Sequence, residues 1–187
     1  TAQVQAFTLD GTQHQKPLLH GSLSKPMALA WGKNAATAGD SVLELTVTNF
    51  DLAAWQPFLG EAVSAGQLSA RVNLLSEQGG NQLKLVVTSQ IANLAVKLGN
   101  RPLTQAALAL KLNGQVNDLK KVSLSDYRLD LTQQGQPALM VSGSASYDGA
   151  AFNLQTQLEA VMARLMGSGP ASPLTAGVKL DGSFTNH

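Results

Sequence analysis

Apolar residues recur at every second position along most of the chain, the spacing that places them on one face of an extended strand. Val4 and Ala6 alternate with Gln3 and Gln5, and Leu43, Leu45 and Val47 share a phase that Val42, Glu44 and Thr46 do not. From Gln67 the pattern is clean: Leu68, Ala70, Val72 and Leu74 face one way, and Gln67, Ser69, Arg71 and Asn73 the other. A turn-forming run at 77–81 follows, and Leu83, Leu85 and Val87 then restart the alternation, which predicts an antiparallel hairpin. Alternation continues through 91–98, breaks at Gly99-Asn100-Arg101-Pro102, and resumes with Leu108, Leu110 and Leu112, with Gly114 ending that strand. Val122 and Leu124 have one parity while Tyr127, Leu129 and Leu131 have the other, so a β-bulge is predicted near Ser125 and Asp126. After a turn at 133–136, the series Leu139, Val141, Gly143, Ala145, Tyr147 forms a strand that turns at Asp148-Gly149. Phe152, Leu154, Thr156 and Leu158 return antiparallel, and Val178, Leu180 and Phe184 begin another strand.

Two segments depart from period two. Residues 51–59 carry Leu52, Trp55, Phe58 and Leu59 at helical spacing, with Asp51 placed to cap, Gly60 to terminate and Pro57 to shorten the helix. Residues 159–166 carry Val161, Met162, Leu165 and Met166 at similar spacing, ahead of a Gly-, Ser- and Pro-rich flexible loop at 167–173. The fold class is therefore mainly β, a long antiparallel meander with two short helices. Because the sequence starts without Met, a basic region or an apolar leader, and stops soon after its last alternation begins, 1–187 reads as one β-rich segment of a longer protein.

Composition narrows what this sheet can do. With no cysteine, disulfides, thiolate nucleophiles and Cys-based zinc sites are all removed. Thirteen Lys and Arg against twelve Asp and Glu leave a net charge of +1, so no whole-chain field draws in nucleic acid. The adjacent pair Lys120-Lys121 lacks interleaved aromatics for stacking bases and reads as a solvated turn. Of the histidines, His14 and His20 fall in a polar, Pro-containing stretch with no acidic cluster, which predicts exposed loop residues rather than metal ligands, and the third is His187. Asp126 and Asp130 flank Arg128 on one strand face, an arrangement that suits ion pairing at the solvent side better than acid/base catalysis. No nucleophile elbow, phosphate loop or dinucleotide fingerprint occurs, and no cofactor is called for. Trp31 and Trp55 are able to line a ligand site, although Trp55 on the apolar side of its helix reads better as a core plug.

The run Asn49-Phe50-Asp51-Leu52-Ala53-Ala54-Trp55-Gln56-Pro57-Phe58-Leu59-Gly60, followed by Ser64-Ala65-Gly66-Gln67-Leu68-Ser69-Ala70, resembles the short helix and re-entry strand of the AsmA-like family. Ile91-Ala92-Asn93-Leu94, the run 117–124 and the run 137–143 resemble that family's repeated strands, so the likeness extends over roughly 40–160. The resemblance implies a curled, groove-like periplasmic sheet belonging to an inner-membrane-anchored protein of Gram-negative bacteria. Related proteins include TamB and the bridge-like lipid-transfer proteins. Outer-membrane biogenesis and phospholipid transport are the implied roles, with no catalytic residues carried over. The family's amino-terminal membrane anchor is not in this sequence.

The residues themselves lead to a compatible expectation. Strands whose inner positions are Leu, Val and Ala, in a chain with only nine aromatics, present a smooth aliphatic wall suited to acyl chains. The residues expected to line it are Leu68, Val72, Leu83, Leu85, Leu108, Leu110, Leu129, Leu131, Val141 and Leu154. Two alternatives stay open at the level of sequence. The same face is equally able to be the dry core of a sandwich or to lie under the two helices. The edge strands are also able to pair with a client strand during outer-membrane protein assembly.

Overall fold

The computed structural model describes residues 2–13, 15–29, 39–60, 62–98 and 101–183. In chain order its strands are β1 (Ala2–Val4), β2 (Phe7–Gln13), β3 (Lys16–Leu23), β4 (Met27–Leu29), β5 (Ser41–Asp51), β6 (Val63–Glu77), β7 (Gln82–Leu98), β8 (Arg101–Asn117), β9 (Lys121–Gln133), β10 (Gln136–Tyr147), β11 (Ala151–Ala160) and β12 (Leu174–Ser183). A one-turn helix, α1 (Gln56–Leu59), follows β5, and α2 (Met162–Met166) follows β11. Ten strands form one antiparallel sheet in the order β12-β11-β10-β9-β8-β7-β6-β5-β3-β2, while β1 and β4 make a separate two-stranded ribbon. The large sheet is not closed: β2 and β12 are its two edges. The mainly-β meander expected from the alternation is the architecture found, and among the described residues it forms one layer rather than a sandwich.

Local chemistry accounts for the connections. The loop between β6 and β7 is a tight turn at Gln78–Gly80, with Gln78, Gly79 and Gly80 all at positive φ. Between β10 and β11 the Asp148 carboxylate accepts hydrogen bonds from the backbone N–H of Ala151 at 2.8 Å and of Ala150 at 3.0 Å, which lowers its pKa from the usual carboxylate value. The predicted bulge is present: Asn113 of β8 lies opposite Asp126, while the next residue, Gly114, lies opposite Leu124, leaving Ser125 as the extra residue.

Several boundaries differ from the sequence reading. Residues expected to open the second helix, Glu159 and Ala160, instead pair with Thr175 and Leu174 of β12, so α2 begins only at Met162. The first helix is a 3-10 turn at Ala53–Trp55 running into α1, because Pro57 in the first turn fixes the start and Gly60 at φ 73° ends it. Gly114 does not end its strand: it pairs with both Leu85 and Leu124, and β8 continues to Asn117. Ala6 falls outside β1, and Phe184 lies outside the described residues. His20 is a strand residue of β3, not a loop residue.

Burial concentrates at the two ends of the strands. At one end the chain leaving β5 tucks Leu52 against Leu94, Leu103 and Ala106, with Phe50, Leu68, Ile91 and Leu108 packed around them. Leu52 seats on Gly66, to whose carbonyl it donates a 2.9 Å hydrogen bond. A Cβ at Gly66, which has φ of +154°, would come within 2.8 Å of Leu52 Cδ1, so only glycine leaves room for the plug. At the other end β4 lies over the sheet, burying Met27 and Ala28, and the Ser76 hydroxyl donates to the Ala28 carbonyl at 2.7 Å. Glycine is also required at Gly143 of β10, where a Cβ would stand 2.0 Å from the Gln155 carbonyl oxygen and 2.7 Å from the Tyr127 hydroxyl.

Gly143→Ala is accordingly expected to destabilise the protein by about 2 kcal/mol, the scale of overpacking a close contact, which in a chain of this size lowers Tm by roughly 4–8 °C. Thermal unfolding followed by circular dichroism checks this, and an unchanged Tm would mean the two strands are not held at this spacing.

Candidate functional site

Because facing residues in an antiparallel pair project to the same side, the register alone assigns each side chain to a face. Leu68, Ile91, Leu108, Leu131 and Leu139 form one cross-strand row. Ala70, Ser89, Leu110, Leu129, Val141 and Leu158 form the next. The third contains Leu45, Val72, Val87, Leu112 and Tyr127. The fourth runs through Leu74 and Leu85 in the centre of the sheet, and includes Ala145 and Leu154 further along. Leu83 belongs to the last, opposite Ser76 and Val116. Every residue predicted to line the aliphatic wall therefore sits on one face of one sheet.

What covers that face decides its character. The Leu52 turn closes the row of Leu68 and Leu108 on one side, and the β1–β4 ribbon closes the row of Leu83 on the other, where Leu83 is 8% exposed. Between these caps Leu110, Leu129, Val141, Val72, Leu85 and Leu154 are all half-buried, and among the described residues they are screened by neighbours within the sheet and not by a second layer. Toward the edges the same face opens further, with Leu9 of β2 at 48% and Val178 of β12 at 55% exposure. One polar link crosses it: the Tyr127 hydroxyl hydrogen-bonds the Thr156 hydroxyl over Gly143.

The opposite face is polar. Its central row runs Thr46, Arg71, Thr88, Lys111, Arg128 and Ser142, and a shallow cleft of about 380 Å³ lined by Arg71, Thr88, Gln90 and Lys111 lies over it. Arg128 Nε donates to Asp130 Oδ2 at 2.7 Å, which raises the Arg128 pKa first through the hydrogen bond and then through the charge itself. This is the solvent-side ion pair expected from the sequence, and Asp126 stands on the same face, opposite Asn113. His20 Nδ1 lies 2.7 Å from Asp10 Oδ1 across β2 and β3. Lys120 and Lys121 are exposed at the turn into β9. Among the described residues no group of His, Asp and Glu is arranged to hold a metal ion, and no helix is long and apolar enough to cross a membrane. His14, Trp31 and His187 lie outside the described residues.

Trp55 is not a plug. It is 40% exposed and packs at tilted angles against Phe50, with ring centroids 5.2 Å apart, and Phe58, at 5.3 Å, while Phe58 itself is 81% exposed. The plug is Leu52, which the helical spacing grouped with Trp55 but did not single out. Also unread in the sequence were β2 and β3, although Phe7, Leu9, Gly11 and Leu19, Gly21, Leu23 carry the period-two signal, with glycine standing in for an aliphatic residue.

A contrast in stability separates the uncovered rows from the capped ends. Leu103→Ala, in the buried cluster, is expected to cost about 2–5 kcal/mol, whereas Leu110→Ala, half-buried on the open rows, costs about 1 kcal/mol. Urea unfolding of both variants measures the difference, and equal large losses would mean that the open rows are packed under something. No protein-family model, curated protein or solved structure was found to match this chain.

Proposed function

We propose that the uncovered aliphatic face binds and shields the acyl chains of lipids, as a non-enzymatic segment of a periplasmic, inner-membrane-anchored protein that moves phospholipid during outer-membrane biogenesis. The observation that carries this reading is a sheet with five successive cross-strand rows rich in leucine and valine on one side and, among the described residues, no second layer against the middle of them. Ten strands at about 4.8 Å spacing and the rows between the two caps give the face a footprint of roughly 40 by 20 Å, on the order of 800 Å², in which leucine and valine share the rows with Ser89, Gly114, Gly143 and Thr156. Monomeric proteins rarely expose more than a few hundred Å² of contiguous apolar surface without a ligand or partner for it. Each methylene removed from water contributes about 0.8 kcal/mol, so a sixteen-carbon chain laid on this face gains on the order of 10 kcal/mol before ordering costs. An aliphatic wall with few aromatics imposes no shape beyond a flexible chain, and the compartment, the membrane anchor and the cellular role follow from the AsmA-like resemblance.

A second reading, that the protein is a scaffold assisting outer-membrane protein assembly, is favoured by β2 and β12, which have no outer neighbour among the described residues. An unpaired strand edge offers a row of backbone donors and acceptors to a client strand.

Titration of the purified protein with a fluorescent fatty-acid analogue separates the two. Saturable binding that falls at least tenfold in Leu110→Glu and Leu129→Glu, with folding intact by circular dichroism, is the outcome expected for acyl-chain shielding. Absence of binding, together with lipid-free protein in native mass spectrometry after extraction from membranes, would refute it. Under the scaffold reading those two substitutions leave client capture unchanged.

A further inference from the structure

The apolar face ends in a polar pocket beside α2, and we infer that this pocket holds the phosphate-bearing headgroup of a lipid whose chains lie on the leucine rows. The inference rests on the acyl-chain reading above and extends it from hydrocarbon in general to a phospholipid.

The face changes character within one step along two strands. On β9 the side chains directed to it run Leu129, Leu131, Gln133, and Gln136 of β10 stands directly opposite Gln133, just beyond the facing pair Leu131 and Leu139. An amide pair therefore takes the place of an aliphatic pair in the next row. At about 3.3 Å per residue, Leu131 and Leu129 follow roughly 7 and 13 Å from Gln133 along the strand, so a group held at the amides has the wall directly behind it. The helix α2 supplies the other side: Arg164 and Leu165 line, with Leu103, Gln133 and Gln136, a cavity of about 280 Å³. That volume lies just under the range of roughly 300–1,000 Å³ that encloses whole drug-sized ligands, and it suits a headgroup whose tails leave it.

The lining calls for an anion with a hydrogen-bond donor beside it. Arg164 donates through one terminal nitrogen to the Pro137 carbonyl, which fixes the guanidinium at the pocket, and no ion pair among the described residues includes it. Its remaining donors form the fork that matches two oxygens of a phosphate. No carboxylate is among the described residues that line the cavity, so nothing there opposes a negative charge. Gln133 supplies the second requirement, because its Oε1 is buried without a hydrogen-bond partner. Such an acceptor is costly to leave unpaired, and the soft terminal torsion of a glutamine lets the amide turn to a donor brought into the pocket. A phosphodiester of glycerol or ethanolamine carries both parts, an anionic phosphate and a hydroxyl or ammonium close to it. A fatty acid brings the anion without the donor, and a diacylglycerol the donor without the anion.

Calorimetric titration of the whole chain with a short-chain phosphatidylglycerol, and with the diacylglycerol of the same chains, tests the inference below the micellar concentration of either lipid. The phospholipid is expected to bind about tenfold more tightly. Arg164→Gln is expected to remove that preference and leave diacylglycerol binding as it was. Gln133→Met is expected to weaken the phospholipid about fivefold, and because it takes away an unpaired acceptor it folds at least as well as the parent, so its loss is not one of folding. Inorganic phosphate is expected to bind at least about a hundredfold more weakly than the phospholipid, since it covers none of the leucine rows. Free phosphate binding as tightly as the phospholipid would assign the pocket to the ion and overturn the headgroup assignment. Equal binding of the two lipids, or a preference that Arg164→Gln leaves in place, overturns the headgroup site alone, whereas failure of both lipids to bind overturns it together with the acyl-chain reading.

Discussion

Inter-strand register is the constraint from which the rest of this structure follows. Side chains alternate with period two, so a slip of one residue in any strand would turn its leucines to the polar side and its charged residues to the apolar side. The long strands do not keep strict alternation, and the sheet absorbs the difference in bulges. Asn49, Asn93 and Gln105, each at positive φ, mark the register shifts of β5, β7 and β8, and Ser125 is the extra residue of β9. Each bulge adds a residue without exchanging faces, which is how Phe50, Leu94 and Leu103 come to share a side with Leu45, Ile91 and Leu108.

A consistent apolar face normally requires a second layer to bury it. Here burial is confined to the ends of the strands, where Leu52 seats on Gly66 and the Met27–Leu29 strand covers Ser76 and Leu83. These small clusters pin the ends, and the backbone ladder with side-chain contacts along each row holds the middle. The polar face contributes exposed pairs such as Arg128 with Asp130 and Lys84 with Glu77, whose interaction water screens. The middle rows are therefore leucine and valine positions left half-buried at the centre of the sheet, and a surface of that kind gains from a ligand that is itself a hydrocarbon.

Strand phase was legible because alternation is a local property. Leu68 through Leu74, Leu83 through Val87 and the bulge at Ser125 could be read from spacing alone, and with them every residue assigned to the wall. The departures came where tertiary contacts overrode local pattern. Glu159 and Ala160 have helical spacing with Val161 and Met162 yet stay extended, because β12 offers them ladder hydrogen bonds. Trp55, the largest apolar residue of its turn, was expected inward, but the 3-10 geometry of Ala53–Trp55 sends Leu52 to Gly66 and leaves the indole packed against Phe50 and Phe58 at the surface. Whether the apolar face met a second layer was not a property of any local window, since it depends on all ten strands choosing one sheet.

On the proposed reading an open wall of this kind would bind by area and not by a keyed contact, so the account stands or falls on where a bound hydrocarbon lies. Intermolecular nuclear Overhauser effects between the methylenes of an added fatty acid and the protein's labelled Leu and Val methyl groups locate it directly. The account predicts contacts from the acyl chain to Leu110, Leu129, Val72 and Leu85 on the uncovered rows. Contacts confined to Leu52, Leu94 and Leu103 at the capped end, or no contacts with any of these methyl groups, would contradict it.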